Sequence, residues 1–266
     1  MATLPNPLPT IAADPSGRAL GLALPPGRLI DATDEGPWHE PLLWHAETPA
    51  SAGVWTKLGA PGARAGLLPV LIEVDGSQGG PEDWELAPGE TSYPGDHDAD
   101  EVLEELWEDS AAEGEDWPGL ADFPGPSAGP VTDPDSVAAD IADSLLDGGG
   151  PLKNPCLALV PARRSADIPA VIGWSGPVNH EGDVARLCAV LRSWEDRFGI
   201  RVVALGFDHL LVSVASPPTA LADAEALAAE HFAFCPDNIW QDSDTTLRTY
   251  AERRLLDQRA WHFWWD

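Results

Sequence analysis

Lysine is nearly missing from this chain, occurring only as Lys57 and Lys153, and residues 75–150 contain neither lysine nor arginine. Against 15 Lys+Arg stand 44 Asp+Glu, a formal net charge of −29. The deficit is uneven. Residues 1–150 hold four basic and 29 acidic side chains, whereas residues 151–266 hold 11 and 15. A field of that sign repels phosphate backbones and anionic lipid headgroups, so neither nucleic acid nor a membrane surface is an expected partner. A basic protein is compatible with it, and so is a purely solubilising role.

Cysteine is also scarce. Cys156, Cys188 and Cys235 are an odd, widely spaced set with no Cys-x-x-Cys pair, which excludes a disulfide framework and zinc spacing. Long apolar runs are absent, and no stretch approaches the ~20 residues of a membrane span. The first 24 residues contain four prolines and no continuous apolar segment, so no secretory leader is expected. Reduced thiols in the cytoplasm follow as the expectation. There is no phosphate-binding glycine loop, no G-x-S-x-G and no H-E-x-x-H. No catalytic residue, metal ligand or cofactor is assigned.

What is present is tryptophan, 12 residues against two tyrosines: large rings that must be buried or used for contact. After a proline-rich lead-in, short strands are expected at Ala19–Leu24, Arg28–Asp31 and Leu42–His45. A short helix is expected over Ser51–Leu58, stopped by Gly59, Pro61 and Gly62, followed by a strand over Leu67–Val74. Pro69 restricts that strand to an edge or to a strand start. Residues 19–74 thus read as a small N-terminal α+β unit.

From residue 75 to 150 the composition shifts to Pro, Gly, Asp and Glu, the signature of a linker that cannot offset its ordering entropy. Ser110–Thr132, with almost no apolar periodicity, is its expected most mobile part. Two short amphipathic helices are embedded in the tract. One spans Asp100–Glu108, with Val102, Leu103, Leu106 and Trp107 at i,i+4 spacing; the other spans Ser136–Leu146. Either they dock on the folded parts or they serve as helix-in-groove ligands, with Trp107 as the anchor of a salt-sensitive contact with a basic partner.

Residues 151–266 are more regular. The expected order is a strand at Cys156–Val160, a helix at Asp183–Phe198 stopped by Gly199, and a hairpin of Ile200–Leu205 and Leu210–Ala215. A helix at Ala220–Phe232 capped by Thr219, a helix near Thr245–Leu256, and a strand at Trp261–Trp265 complete it. That order predicts a C-terminal ferredoxin-like (split βαβ) domain: a four-stranded antiparallel sheet with helices on one face.

Four runs in this part, Ile172–Pro177, Leu191–Gly199, His231–Asn238 and Phe263–Asp266, resemble a bacterial family common in actinomycetes and catalogued as domain of unknown function 4253. The resemblance covers about residues 151–266. It implies no activity, ligand or catalytic residue.

Several constellations are candidates for function. His231 and Cys235 lie at i,i+4, the spacing at which an imidazole can activate a thiol, although flanking phenylalanines favour a buried structural cysteine. The loop Trp174–Asp183 runs into a helix N-terminus, where Glu181 and Asp183 already supply the negative charge an anion would bring. Asp96–Glu101 resembles the start of a calcium loop. It has Glu101 where glycine is needed and Trp107 where glutamate is needed, so a solvated acidic run is expected. Alternation at the C-terminus puts Trp261, Phe263 and Trp265 on one face and His262, Trp264 and Asp266 on the other. The candidate contact residues are therefore Trp174, Asn179 and Glu181 in the loop, Asp208 in the hairpin turn, Asp237, Asn238 and Trp240 after the second helix, Trp264, and Trp107. The expected function is a non-enzymatic cytoplasmic binding or regulatory protein, a regulator or an antitoxin-like immunity factor. An enzyme built on Cys235 and His231 is the alternative.

Overall fold

The computed structural model of the protein describes residues 5–112, 114–122, 132–147, 151–241 and 246–266. In chain order its elements are α1 (Leu8–Ala13), β1 (Gly27–Ile30), β2 (Ala32–Thr33), β3 (Gly36–Pro37), β4 (Leu43–Ala46), α2 (Val54–Arg64), β5 (Leu68–Ile72), α3 (Ala99–Ser110) and α4 (Pro134–Leu146). There follow β6 (Cys156–Val160), α5 (Ile168–Ile172), α6 (Val184–Phe198), β7 (Ile200–Leu205), β8 (His209–Val214), α7 (Leu221–Phe234), α8 (Asp237–Trp240), α9 (Leu247–Tyr250) and β9 (Ala260–Trp264). No helix among the described residues is long and apolar enough to cross a membrane.

Several boundaries follow directly from local chemistry. Asp183 caps α6 by accepting from the Ala185 amide, and Gly199 closes it at φ 63°. Asp98, one of the aspartates that resemble a calcium loop, caps α3 by accepting from the amides of Asp100 and Glu101. No group of three or more His, Cys, Asp or Glu side chains among the described residues is arranged to hold a metal ion. Other boundaries differ from expectation. Residues 18–20 form a 3-10 turn between Gly17 and Gly21, both at φ 72°, and not a strand. Helix α2 runs through Gly59, Pro61 and Gly62, because burial of Trp55 and Leu58 against the sheet outweighs their weak helix propensity. The N-cap of α7 is Ala220, without a side-chain bond, in place of Thr219. Of the third expected helix, Thr245 lies outside the described residues, and Thr246 supplies the cap.

Seven strands form one sheet in the order β1-β4-β6-β5-β7-β8-β9, antiparallel except where β5 pairs with β7. This differs from the four-stranded split βαβ sheet. There β9 would return beside β6; instead it pairs with β8 at the edge, and β5 separates β6 from β7. Segments 19–74 and 151–266 therefore share a sheet. The physical reason lies in β5 itself: Val70, Leu71 and Ile72 are fully buried, and a strand apolar on both faces belongs at a sheet centre. Pro69 is tolerated there because pairing with β7 begins only at Leu71, so no ladder donor is missing at the strand start.

Side chains alternate between two cores. Val70, Ile72, Cys156, Ala158 and Val160 face the larger one, under α5, α6 and α7. Leu71, Leu157 and Leu211 face the smaller one, under α2 and α4. Helices thus cover both faces, not one. The acidic tract takes part on each side: α4 packs on β7 and β8, and α3 lies in the groove between α6 and α7. The segment expected to be most mobile falls partly on residues 113 and 123–131, outside the described residues. Its described remainder is tied down, with Trp117 donating to Asp100 (2.8 Å) and the Ala121 amide donating to Glu230 (2.8 Å).

Candidate functional site

The sequence candidates fall into two places, and a third place of interest lies apart from them. The first lies where β9 ends. Asn179 donates to the Asp266 carbonyl (3.0 Å), the Asp266 amide donates to Asp237 (3.1 Å), and the Trp265 amide donates to the Asp208 carbonyl (3.2 Å). Buried Asn238 is the centre of this clip. Its amide nitrogen donates to the His262 carbonyl (2.7 Å) and the Tyr250 hydroxyl (3.1 Å), and its oxygen accepts from the Trp264 amide (3.3 Å). These polar groups consume one another's hydrogen-bonding capacity. They tether the edge strand and leave little for a ligand.

Trp174 belongs to the same end. It is buried, donates to the Gly206 carbonyl (3.0 Å) and meets Trp265 edge-on at 5.6 Å. Preceding it, Gly173 sits at φ 66°, where a Cβ would fall 2.1 Å from the Pro88 nitrogen, so only glycine fits this close chain crossing. Glu181 is engaged by Arg186 (2.7 Å) and by the Asp183 amide (2.9 Å). Asp183 also accepts from the Ser92 amide (3.1 Å), so the α6 N-terminus is already occupied.

The second place is the groove of α3. Trp107 is 5% exposed, meets Phe232 edge-on at 5.5 Å and donates to the Glu115 carbonyl (2.9 Å). It is an internal anchor, so α3 takes the docked one of its two expected roles. Trp240 extends the row by packing on the far side of Phe232 (5.5 Å), yet remains 60% exposed. On β9 Trp261 and Phe263, and just beyond it Trp265, are buried as alternation requires, and Trp264 is half-buried. No ring contact joins Trp264 to Trp240 among the described residues.

The pair His231 and Cys235 does not meet. The Cys235 thiol donates to the Trp264 carbonyl (3.0 Å), and burial pushes its pKa far above the ordinary thiol value. The His231 ring lies among Trp194, Trp261 and Phe263, each within 4.8 Å, with Nδ1 against the Tyr250 hydroxyl (3.1 Å). Thiol and imidazole turn to different partners, so no activated nucleophile is assembled here.

Burial holds the His231 pKa well below the ordinary imidazole value, and Arg197 adds to the shift; His45 is lowered too, mainly by burial. The unfolded chain therefore binds protons at these histidines at a pH where the folded protein does not. Stability is expected to hold above the ordinary imidazole range and to fall as pH drops below about 6.5, where the unfolded chain takes up protons that the folded histidines refuse. Relief of repulsion among the carboxylates lies lower, in their own titration range. Denaturant midpoints between pH 8 and 5 test this, and His231→Leu should reduce the slope. A midpoint constant from pH 7 to 5 would contradict it.

The third place carries none of the sequence candidates. Between α2 and α4, at the end of the sheet away from the Trp174 loop, lies a cleft of about 560 Å³. Its apolar side is formed by Trp55, Ala60, Ala63, Leu68, Pro69 and Ala139, and its polar side carries Arg163, Arg164 and Arg201 together with the carboxylates Glu195, Asp133, Asp135 and Asp140. Sequence reading missed it because its walls come from four separated segments. The Arg163-Arg164-Ser165 run after β6 was the one local signal.

Residues 156–266 match the family profile described as Domain of unknown function (DUF4253). The matched segment includes β6 to β9 and the arginine side of the cleft; β5, α2 and α4 lie outside it. No curated protein and no solved structure matches the chain.

Proposed function

We propose that the protein acts by binding and not by catalysis, as a cytoplasmic regulatory or immunity-type factor whose partner is a basic protein. One observation carries the reading. With Val102, Leu103, Leu106 and Trp107 buried, α3 turns Glu101, Glu104, Glu108 and Asp109 to solvent, and these four have no basic partner among the described residues. Among the described residues, Glu105 alone on this outer face is ion-paired, to Arg186 at 2.5 Å. An unpaired acidic row on a docked helix opposes compaction while accelerating encounter with a positive surface. A docked helix also loses little further conformational entropy on binding, unlike a free arm.

The test compares proteins captured from the native host by the wild-type chain and by the triple variant Glu101→Gln, Glu104→Gln, Glu108→Gln. A basic protein held by the wild type, released by moderate salt and lost from the variant is expected. Its association rate should fall steeply as ionic strength rises. Identical capture by both proteins, or a salt-independent association rate, would overturn the reading.

A further inference from the structure

The α2–α4 cleft brings two arginines from separate segments onto one carboxylate. Glu195, with a side chain only 11% exposed, accepts from Arg164 Nε at 2.5 Å through one oxygen and from Arg201 Nη1 at 3.4 Å through the other. A single sheltered carboxylate therefore holds two guanidinium groups at the wall of one cavity. Each guanidinium keeps a nitrogen in reserve. Arg164 spends Nε and Nη2, the latter on Asp196 and the Arg192 carbonyl, and Arg201 spends Nε on Asp135 and Nη1 on Glu195 and the Ile200 carbonyl. Arg164 Nη1 and Arg201 Nη2 make no hydrogen bond among the described residues. Four N–H donors on two fixed cations are thus uncommitted.

The outer carboxylates that touch these arginines are replaceable. The Asp196 and Asp135 side chains are 69% and 76% exposed, and solvent-exposed pairs contribute little. An incoming anion gains charge-assisted bonds in a fork geometry that matches carboxylate and phosphate oxygens. Opposite the arginines, Trp55, Leu68, Pro69 and Ala139 supply an apolar wall. The volume of about 560 Å³ falls among small-molecule sites of about 300–1,000 Å³.

We propose that this cleft binds a small amphipathic organic anion, its carboxylate or phosphate head on Arg164 and Arg201 and its flat apolar body against Trp55 and Pro69. The site goes beyond the protein-binding reading and uses a different surface from α3.

Phenyl phosphate and phenylacetate serve as probes in calorimetric titration of the full chain, with inorganic phosphate and benzylamine as controls. Saturable binding of at least one phenyl anion is expected, with inorganic phosphate at least tenfold weaker and benzylamine silent. Whichever phenyl probe is tighter identifies the head group. Arg201→Gln should weaken binding at least tenfold. Because that change also loosens Glu195, Ala139→Phe provides a second variant that fills the cleft and leaves the ion pairs in place. It should abolish binding with the thermal midpoint retained. No saturation by either phenyl anion, equal binding of benzylamine, or unchanged affinity in both variants would overturn the assignment.

Discussion

Replacing Glu230 with alanine is expected to lower stability by about 3–5 kcal/mol, because it strands a buried charge. Glu230 is fully buried in α7 and serves four donors: the Ala121 amide (2.8 Å), the Trp194 indole (2.8 Å), and both terminal nitrogens of Arg197. Removing the carboxylate leaves Arg197 without its counter-charge and two N–H groups without acceptors, each costing about 1–3 kcal/mol. Glu230→Gln keeps the shape but cannot neutralise Arg197, so it should fall between wild type and alanine. The change also reaches outside the core. The Ala121 amide is one of the bonds that tie the tract after α3 to the body, so its hydrogen-exchange protection should collapse in Glu230→Ala before that of β7. Chemical denaturation measures the first effect. A loss under 1 kcal/mol would mean that the pair is offset by its own desolvation.

Trp107→Ala is expected to cost about 3–5 kcal/mol, the range for a buried aromatic truncation. The ring fills the groove between α6 and α7 with Leu103 and Leu106, and its indole N–H caps the Glu115 carbonyl. Beyond area, it contributes an edge contact with Phe232 and a tilted one with Trp117 (5.6 Å), each worth about 0.5–1.5 kcal/mol. A stability loss of this size is what an internal anchor requires and what an external hook would not show. An unchanged denaturant midpoint would return Trp107 to the role of a partner contact. Glu104→Gln on the same helix should leave the midpoint within about 0.5 kcal/mol, so the pair of variants separates docking from steering.

Local elements were legible because their signals are local. The 3.6-residue stripe in Asp183–Phe198, the stop at Gly199, the alternation at Trp261–Trp265 and the i,i+4 pairs around Trp107 each need only neighbours in sequence, and each element formed where its pattern lies. Strand order is different. A period of two states which face of a strand is apolar but carries no information about the strand alongside. The run Leu68–Ile72 was readable as a strand, yet only burial on both faces decided that it lies between β6 and β7. Composition suggested a loose acidic arm because charge counts average over a helix, whereas docking depends on four apolar residues on one face of α3.

The contact candidates divide in the same way. His231 and Cys235 share a helical spacing, and tertiary packing alone turned the ring toward Tyr250 and the thiol toward Trp264. The polar residues around Asn238 marked a conspicuous place in the sequence, which proved to be the tether of β9. The cleft was invisible because Trp55, Asp135, Arg164 and Arg201 come from segments up to about 150 residues apart, and no local period links them. By itself, the sequence determined the charge, most of the longer helices and strands, and the apolar face of each, since these depend on chain chemistry over a few residues. Tertiary structure alone decided which strands are neighbours, which acids stay unpaired and where two arginines share one carboxylate. Those outcomes depend on competition among distant segments for the same buried surface.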